Sequence, residues 1–252
     1  MNIFKSEVYK LFRKKEVFLF AFIAFACPVL LSVLMGSNSN SMSIQGMEHM
    51  GGGFFSLFVY SLLFDLFLIP VIFSTIVVRC WASDFNNGTI AYDITITNSR
   101  KKVFIGRVLV CLLVCILYTI MIIVTAILSY KFLGATSEYY TENIMYLVEE
   151  KYVHFIITTF LVVLFTCSLS TLFSMSEKPA ASTLITIGLF IASRLLEKIN
   201  PIKEWLPTYL LSASNSLEMN QFDFIKDIII IVVISGCAYV LSFYIFKRKN
   251  IA

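Results

Sequence analysis

Residues 108–130 read VLVCLLVCILYTIMIIVTAILSY, an uncharged run of 23 residues bounded by Arg107 and Lys131. At 1.5 Å per residue such a helix is about 34 Å long, enough to cross a hydrocarbon layer of about 30 Å. It is apolar on every side, which suits lipid. Outward from it lie five similar runs, at about 17–36, 54–78, 153–173, 180–199 and 227–246. The whole chain has 252 residues, of which 58% are hydrophobic and 14% charged, where a soluble domain carries about 25% charged residues. The expectation is one transmembrane domain over residues 1–252, an all-α integral membrane protein with six spans.

Between the runs the charges fall unevenly. Residues 2–15 place Phe4, Val8, Leu11 and Phe12 on one helical face and most of the basic side chains elsewhere. That pattern reads as an interfacial helix on an anionic leaflet, or as a plain basic flank that sets topology. Residues 37–53 hold no Lys or Arg, the 79–107 connector holds five, and the tail closes on Lys247-Arg248-Lys249. With the amino terminus inside, fourteen of the twenty Lys and Arg lie on the cytoplasmic side. This bias predicts cytoplasmic amino and carboxyl ends. No cleavable leader is expected, because the first run starts at Val17, is long enough to span and lacks a small-residue cleavage site after it. Pro28 is a candidate kink in the first span. Pro179 suits the first turn of the fifth.

Catalytic signatures are missing. There is no GxxxxGK[ST] phosphate loop and no HExxH, and the two histidines are His49 and His154. Glu149-Glu150 with His154 lacks the partners of a glutamate-pair membrane protease and reads as an acidic loop. Six cysteines form no CxxC pair; Cys111 and Cys115 share a helix face and read as small packing residues. The chain is therefore expected to be no enzyme and to hold no metal or cofactor.

Charges interrupt the apolar runs: Asp65 in the second, and Arg194, Glu197 and Lys198 near the end of the fifth. Asp65 lies about 16 Å from the start of its span, near mid-bilayer, where a carboxylate costs on the order of 2.5–3.5 kcal/mol on insertion scales. It either lines a polar path or pairs with a cationic substrate, or it makes a structural hydrogen bond or is held protonated. Arg194 and Glu197 are three residues apart and can pair on one helix. They read as a headgroup anchor or as a gate in the substrate path.

The connector carries the sharpest pattern. Asn86-Asn87-Gly88 signals a turn, and Thr89 is placed to cap a short helix through Ile90, Tyr92, Ile94 and Ile96. A helix so short has too little apolar surface to fold alone and must rest on the membrane or on a partner. Asp84, Gly88-Thr89-Ile90, Ser99-Arg100, Val103-Phe104 and Gly106-Arg107 together resemble the permease subunit of a type-2 ABC exporter. Asp84 stands where that family more often has Glu, and Thr97 where it has Pro.

The resemblance implies a coupling helix between spans two and three, with Asp84, Gly88, Thr89, Ile90, Ser99, Arg100 and Phe104 coupling to an ATPase. It also implies a short re-entrant hairpin within 200–224. Two permease chains, as a homodimer or with a sister permease, would form the pathway. Two separate ABC ATPase subunits would bind ATP and magnesium. Asp65, Arg194 and Glu197 are candidates for the pathway. The short, Phe- and Ile-rich form is most similar to Gram-positive permeases for bacteriocins and cytolytic peptides. That implies a bacterial plasma membrane, lipid contact, and a peptide or hydrophobic drug as cargo, with no nucleic acid. The other readings are a secondary transporter or channel, an intramembrane enzyme, and a non-transporting membrane adaptor.

Overall fold

A computed structural model describes residues 3–36, 51–135, 140–142, 151–175, 178–199, 205–210 and 221–249. The described residues fold into helices: α1 (Ile3–Phe12), α2 (Lys15–Gly36), α3 (Gly52–Asp65), α4 (Leu68–Asn86), α5 (Thr89–Thr97), α6 (Arg100–Leu133), α7 (Lys151–Ser174), α8 (Pro179–Leu196), α9 (Pro207–Leu210) and α10 (Gln221–Arg248). Six of them, α2, α4, α6, α7, α8 and α10, are long and apolar enough to span a membrane. The protein is an all-α integral membrane protein.

The helices α4 and α7 form the centre, each with two-thirds of its apolar window buried, whereas α2, α8 and α10 are mostly open on their outer faces. Lining the outer faces are Phe18, Phe22, Leu184, Val240 and other large apolar side chains, as a helix bordered by lipid requires. Lipid tails remove the hydrophobic drive between helices, so close packing and hydrogen bonds must hold them together. Aromatic rings supply much of that packing. Phe55 stacks on Tyr130 at 4.5 Å, Tyr60 meets Phe155 edge-on at 5.7 Å, and Trp81 lies 5.3 Å from Phe104 and 5.7 Å from Phe246. Most hydroxyls of α7 bond back to its own carbonyls, as Thr158, Ser168 and Thr171 do. Cys80, Cys111, Cys115 and Cys167 are buried free thiols in the seam of α4, α6 and α7.

Three expectations need correction. The helix expected over 54–78 is two helices, broken at Leu66 and Phe67, and α4 runs on to Asn86. Phe67 is left-handed, with φ 59. Pro70 explains the break: it has no N–H for the Leu66 carbonyl and its ring crowds that carbonyl. The third span starts at Arg100, not Val108, so the basic strip is the first two turns of α6. The helix α1 turns its buried face to protein, burying Glu7 and Leu11 against α6. The helix α2 runs through Pro28 without ending. Lys178 precedes Pro179, which opens α8. Only 205–210 and 221–224 of the expected hairpin are described, with α9 packed on α8; residues 200–204 and 211–220 lie outside the described residues.

Candidate functional site: a buried arginine hub and an ion triad at a helix break

At the foot of the bundle the chain reverses twice within fourteen residues. Gly88, at φ 68, is the N-cap of α5, and Asn98, at φ 47, is its C-cap. Left-handed backbone costs a glycine nothing. Thr89 does not cap the helix; its hydroxyl donates to the Asp84 carbonyl at 3.2 Å. Ser99 then caps α6 by accepting from the Lys102 amide. The spacing puts Ile90 and Asp93 on the buried face of α5 and Tyr92, Thr95 and Ile96 on the exposed one.

Arg107 is wholly buried and ties four helices together. Its Nη1 donates to the Cys80 carbonyl at 2.8 Å and lies 2.9 Å from Asp84 Oδ2 as an ion pair. Its Nη2 donates to Asp93 Oδ2 at 2.6 Å and to Glu7 Oε1 at 3.3 Å. The planar fork of a guanidinium suits this divided grip. Lys10 adds bonds to Glu7 at 2.8 Å and Asp93 at 3.1 Å, and Lys14 lies 3.7 Å from Asp84. Three carboxylates thus face three cations. A second arginine acts nearby. Arg100 donates to the Lys247 carbonyl at 2.7 Å and the Lys249 carbonyl at 3.0 Å, capping the end of α10. Lys249 in turn donates to the Met175 carbonyl between α7 and α8 and lies over Phe85.

The residues inferred to couple therefore face inward or shape turns. Ile90 and Phe104 are core residues, Asp84 is an ion-pair partner, Ser99 and Gly88 are caps, and Arg100 is a clamp. Sequence reasoning missed Glu7, Lys10 and Asp93. Glu7 left a signal: it is the one acid on the Phe4–Val8–Leu11 face. The α5 side chains open to a partner are Tyr92, Thr95 and Ile96, with Lys101 and Lys102 beside them on α6.

The second constellation sits at the α3–α4 break. Arg194 Nη2 bonds Asp65 Oδ1, and Nη1 bonds Glu197 Oε2 at 3.0 Å. The guanidinium lies over the Phe64 ring at 5.7 Å. The sequence placed Arg194 and Glu197 together; the structure adds Asp65 from a helix 129 positions away in sequence.

Six apolar spans, with a short helix tied to them at one end, define a multi-pass membrane protein. The chain matches the family model of the ABC-2 family transporter proteins over residues 3–193 and belongs to that family. No curated protein matches it. Proteins of this family are the membrane components of ABC transporters, not their catalytic domains.

Proposed function

We propose that this chain is the permease subunit of an ATP-driven exporter in a bacterial plasma membrane. It would form a pathway with a second permease chain and dock separate ABC ATPases, which bind ATP and magnesium, at the cytoplasmic face of α5. One observation carries the reading: α5 is open outward and locked inward. Its outer side chains Tyr92 (67% exposed) and Ile96 (44%) touch no core, while Arg107 fastens its inner face to α1, α4 and α6. A push on α5 would move all four. An amphipathic peptide or hydrophobic drug is the cargo that suits a bundle with such wide apolar flanks.

The test is co-expression with an ABC ATPase encoded in the neighbouring reading frame. The wild-type chain should retain the ATPase through purification. Tyr92→Ala with Ile96→Ala should release it with Tm unchanged, because neither side chain is buried. No co-purification with wild type would sink the reading. A second reading, an ion-coupled secondary transporter, is favoured by the broken helix and its ion triad; it predicts transport without ATP.

A further inference from the structure

The triad is electrically unbalanced. Asp65 and Glu197 supply two carboxylates, and Arg194 supplies one guanidinium, so the group carries one net negative charge. Among the described residues, Asp65 and Arg194 pair only within this set, and Glu197 Oε1 is buried without a hydrogen-bond partner. Exposure is also unequal: the Asp65 side chain is 48% exposed, Arg194 23% and Glu197 15%. The group offered to a ligand is the carboxylate, and the cation is largely covered with both of its terminal nitrogens engaged.

The position matters as much as the charge. Asp65 is the last residue of α3, one position before the break, and it meets Arg194 and Glu197 at the carboxyl end of α8. Irregular backbone between apolar helices persists where it faces protein or a water-filled cavity. The break at Leu66 and Phe67 and the half-open carboxylate point to the same face.

An apolar cavity lies on the adjoining side of α8. It measures about 280 Å³ and is lined by Phe165, Leu169, Phe190, Leu196, Pro207 and Ile234, among others. The hydroxyls of Ser193 and Thr208 on its wall bond each other at 2.6 Å. Phe190 is the shared wall. Its ring meets Phe64, which underlies Arg194, at 6.3 Å, and meets Phe165 in the cavity at 5.7 Å.

We propose that the Asp65–Arg194–Glu197 triad and this cavity form one binding site for a lipophilic cation, an ammonium, guanidinium or phosphonium group carried on an apolar body. The cationic group pairs with Asp65 and the apolar body enters beside Phe190. This rests on the reading of the chain as a permease and names the charge of its cargo.

The experiment needs no ATPase. The purified chain, in nanodiscs of zwitterionic lipid, is titrated with radiolabelled tetraphenylphosphonium, and binding to empty nanodiscs is subtracted. Saturable binding is expected. It should weaken about tenfold or more in Asp65→Asn, survive in Asp65→Glu, and fall in Ala192→Trp, which fills the cavity. Tetraphenylborate, an anion of nearly the same shape, should not displace the cation. Equal competition by tetraphenylborate, or unchanged affinity in a folded Asp65→Asn, overturns the site. If Asp65→Asn does not fold, the two ions on wild type and the Ala192→Trp variant still decide. Cation binding without any co-purifying ATPase would keep the site and sink the permease reading. A co-purifying ATPase with no preference for the cation would do the reverse.

Discussion

Arg107 has no water to turn to, so its carboxylates decide what the hub costs. Burial raises both Asp93 and Glu7, but with opposite outcomes. For Asp93, the hydrogen bonds from Arg107 and Lys10 outweigh burial and hold the carboxyl below its ordinary 3.8. For Glu7, burial wins over Arg107 and Lys10, and the carboxyl rises above its ordinary 4.5. The signs differ accordingly. Asp93 contributes stability above 3.8 that is lost only as pH falls through its lowered value. Glu7 contributes below 4.5, and that contribution is lost as pH rises through its raised value. At pH 7, Asp93→Asn should therefore cost roughly 3 kcal/mol, the scale for breaking a buried ion pair, while Glu7→Gln should leave Tm unchanged or raise it. Thermal unfolding of both variants in detergent tests this, and equal losses would contradict it. Arg100 makes a simpler prediction. Arg100→Ala uncaps α10, so amide exchange should quicken from Tyr244 to Lys249 and stay unchanged in α5.

Among the elements, those set by long apolar runs or by turn residues were legible. The short helix after Asn86-Asn87-Gly88 appears as α5, Thr89–Thr97, because only glycine takes the left-handed turn freely. The break in the second span was not read, although Pro70 marked it; a uniformly apolar run hides a proline that excludes one particular carbonyl, that of Leu66. The Asp65–Arg194 pair was illegible because the end of α3 meets α8 only in space, through Asp65 on Arg194 and Phe64 on Phe190. Pro70→Ala restores an amide able to bond Leu66 and lets Phe67 leave its left-handed conformation, which costs a non-glycine residue roughly 1–2 kcal/mol. Amide exchange across residues 66–71 should slow. Exchange as fast as in wild type would mean that packing around Phe67, not the proline, sets the break. The hub partners were legible only in part, because a lone acid on an apolar face does not name the arginine a hundred residues away that it meets.

For the whole molecule, the bonds gather one set of segments at one end. Arg107 brings α1 and α5 to the start of α6, Arg100 brings the end of α10 there, and Lys249 reaches the α7–α8 turn. At the other end of α6, Gly52 of α3 packs on Ile127 and Phe55 on Tyr130. The basic bias predicted that α1, the connector, the turn and the tail share a side, and the fold joins them directly. The helix α6 provides the test of which side they face. From Lys101 to Lys131 it rises about 45 Å, more than the hydrocarbon thickness of about 30 Å, so both residues reach water on opposite sides, and both are exposed. In a background lacking the less buried Cys27 and Cys237, an impermeant maleimide should label Lys131→Cys on intact cells and Lys101→Cys only after permeabilisation. The opposite pattern would put Tyr92 and Ile96 outside the cell, where no ATP-hydrolysing partner could reach α5, and the proposed coupling would fail whatever the strength of the hub.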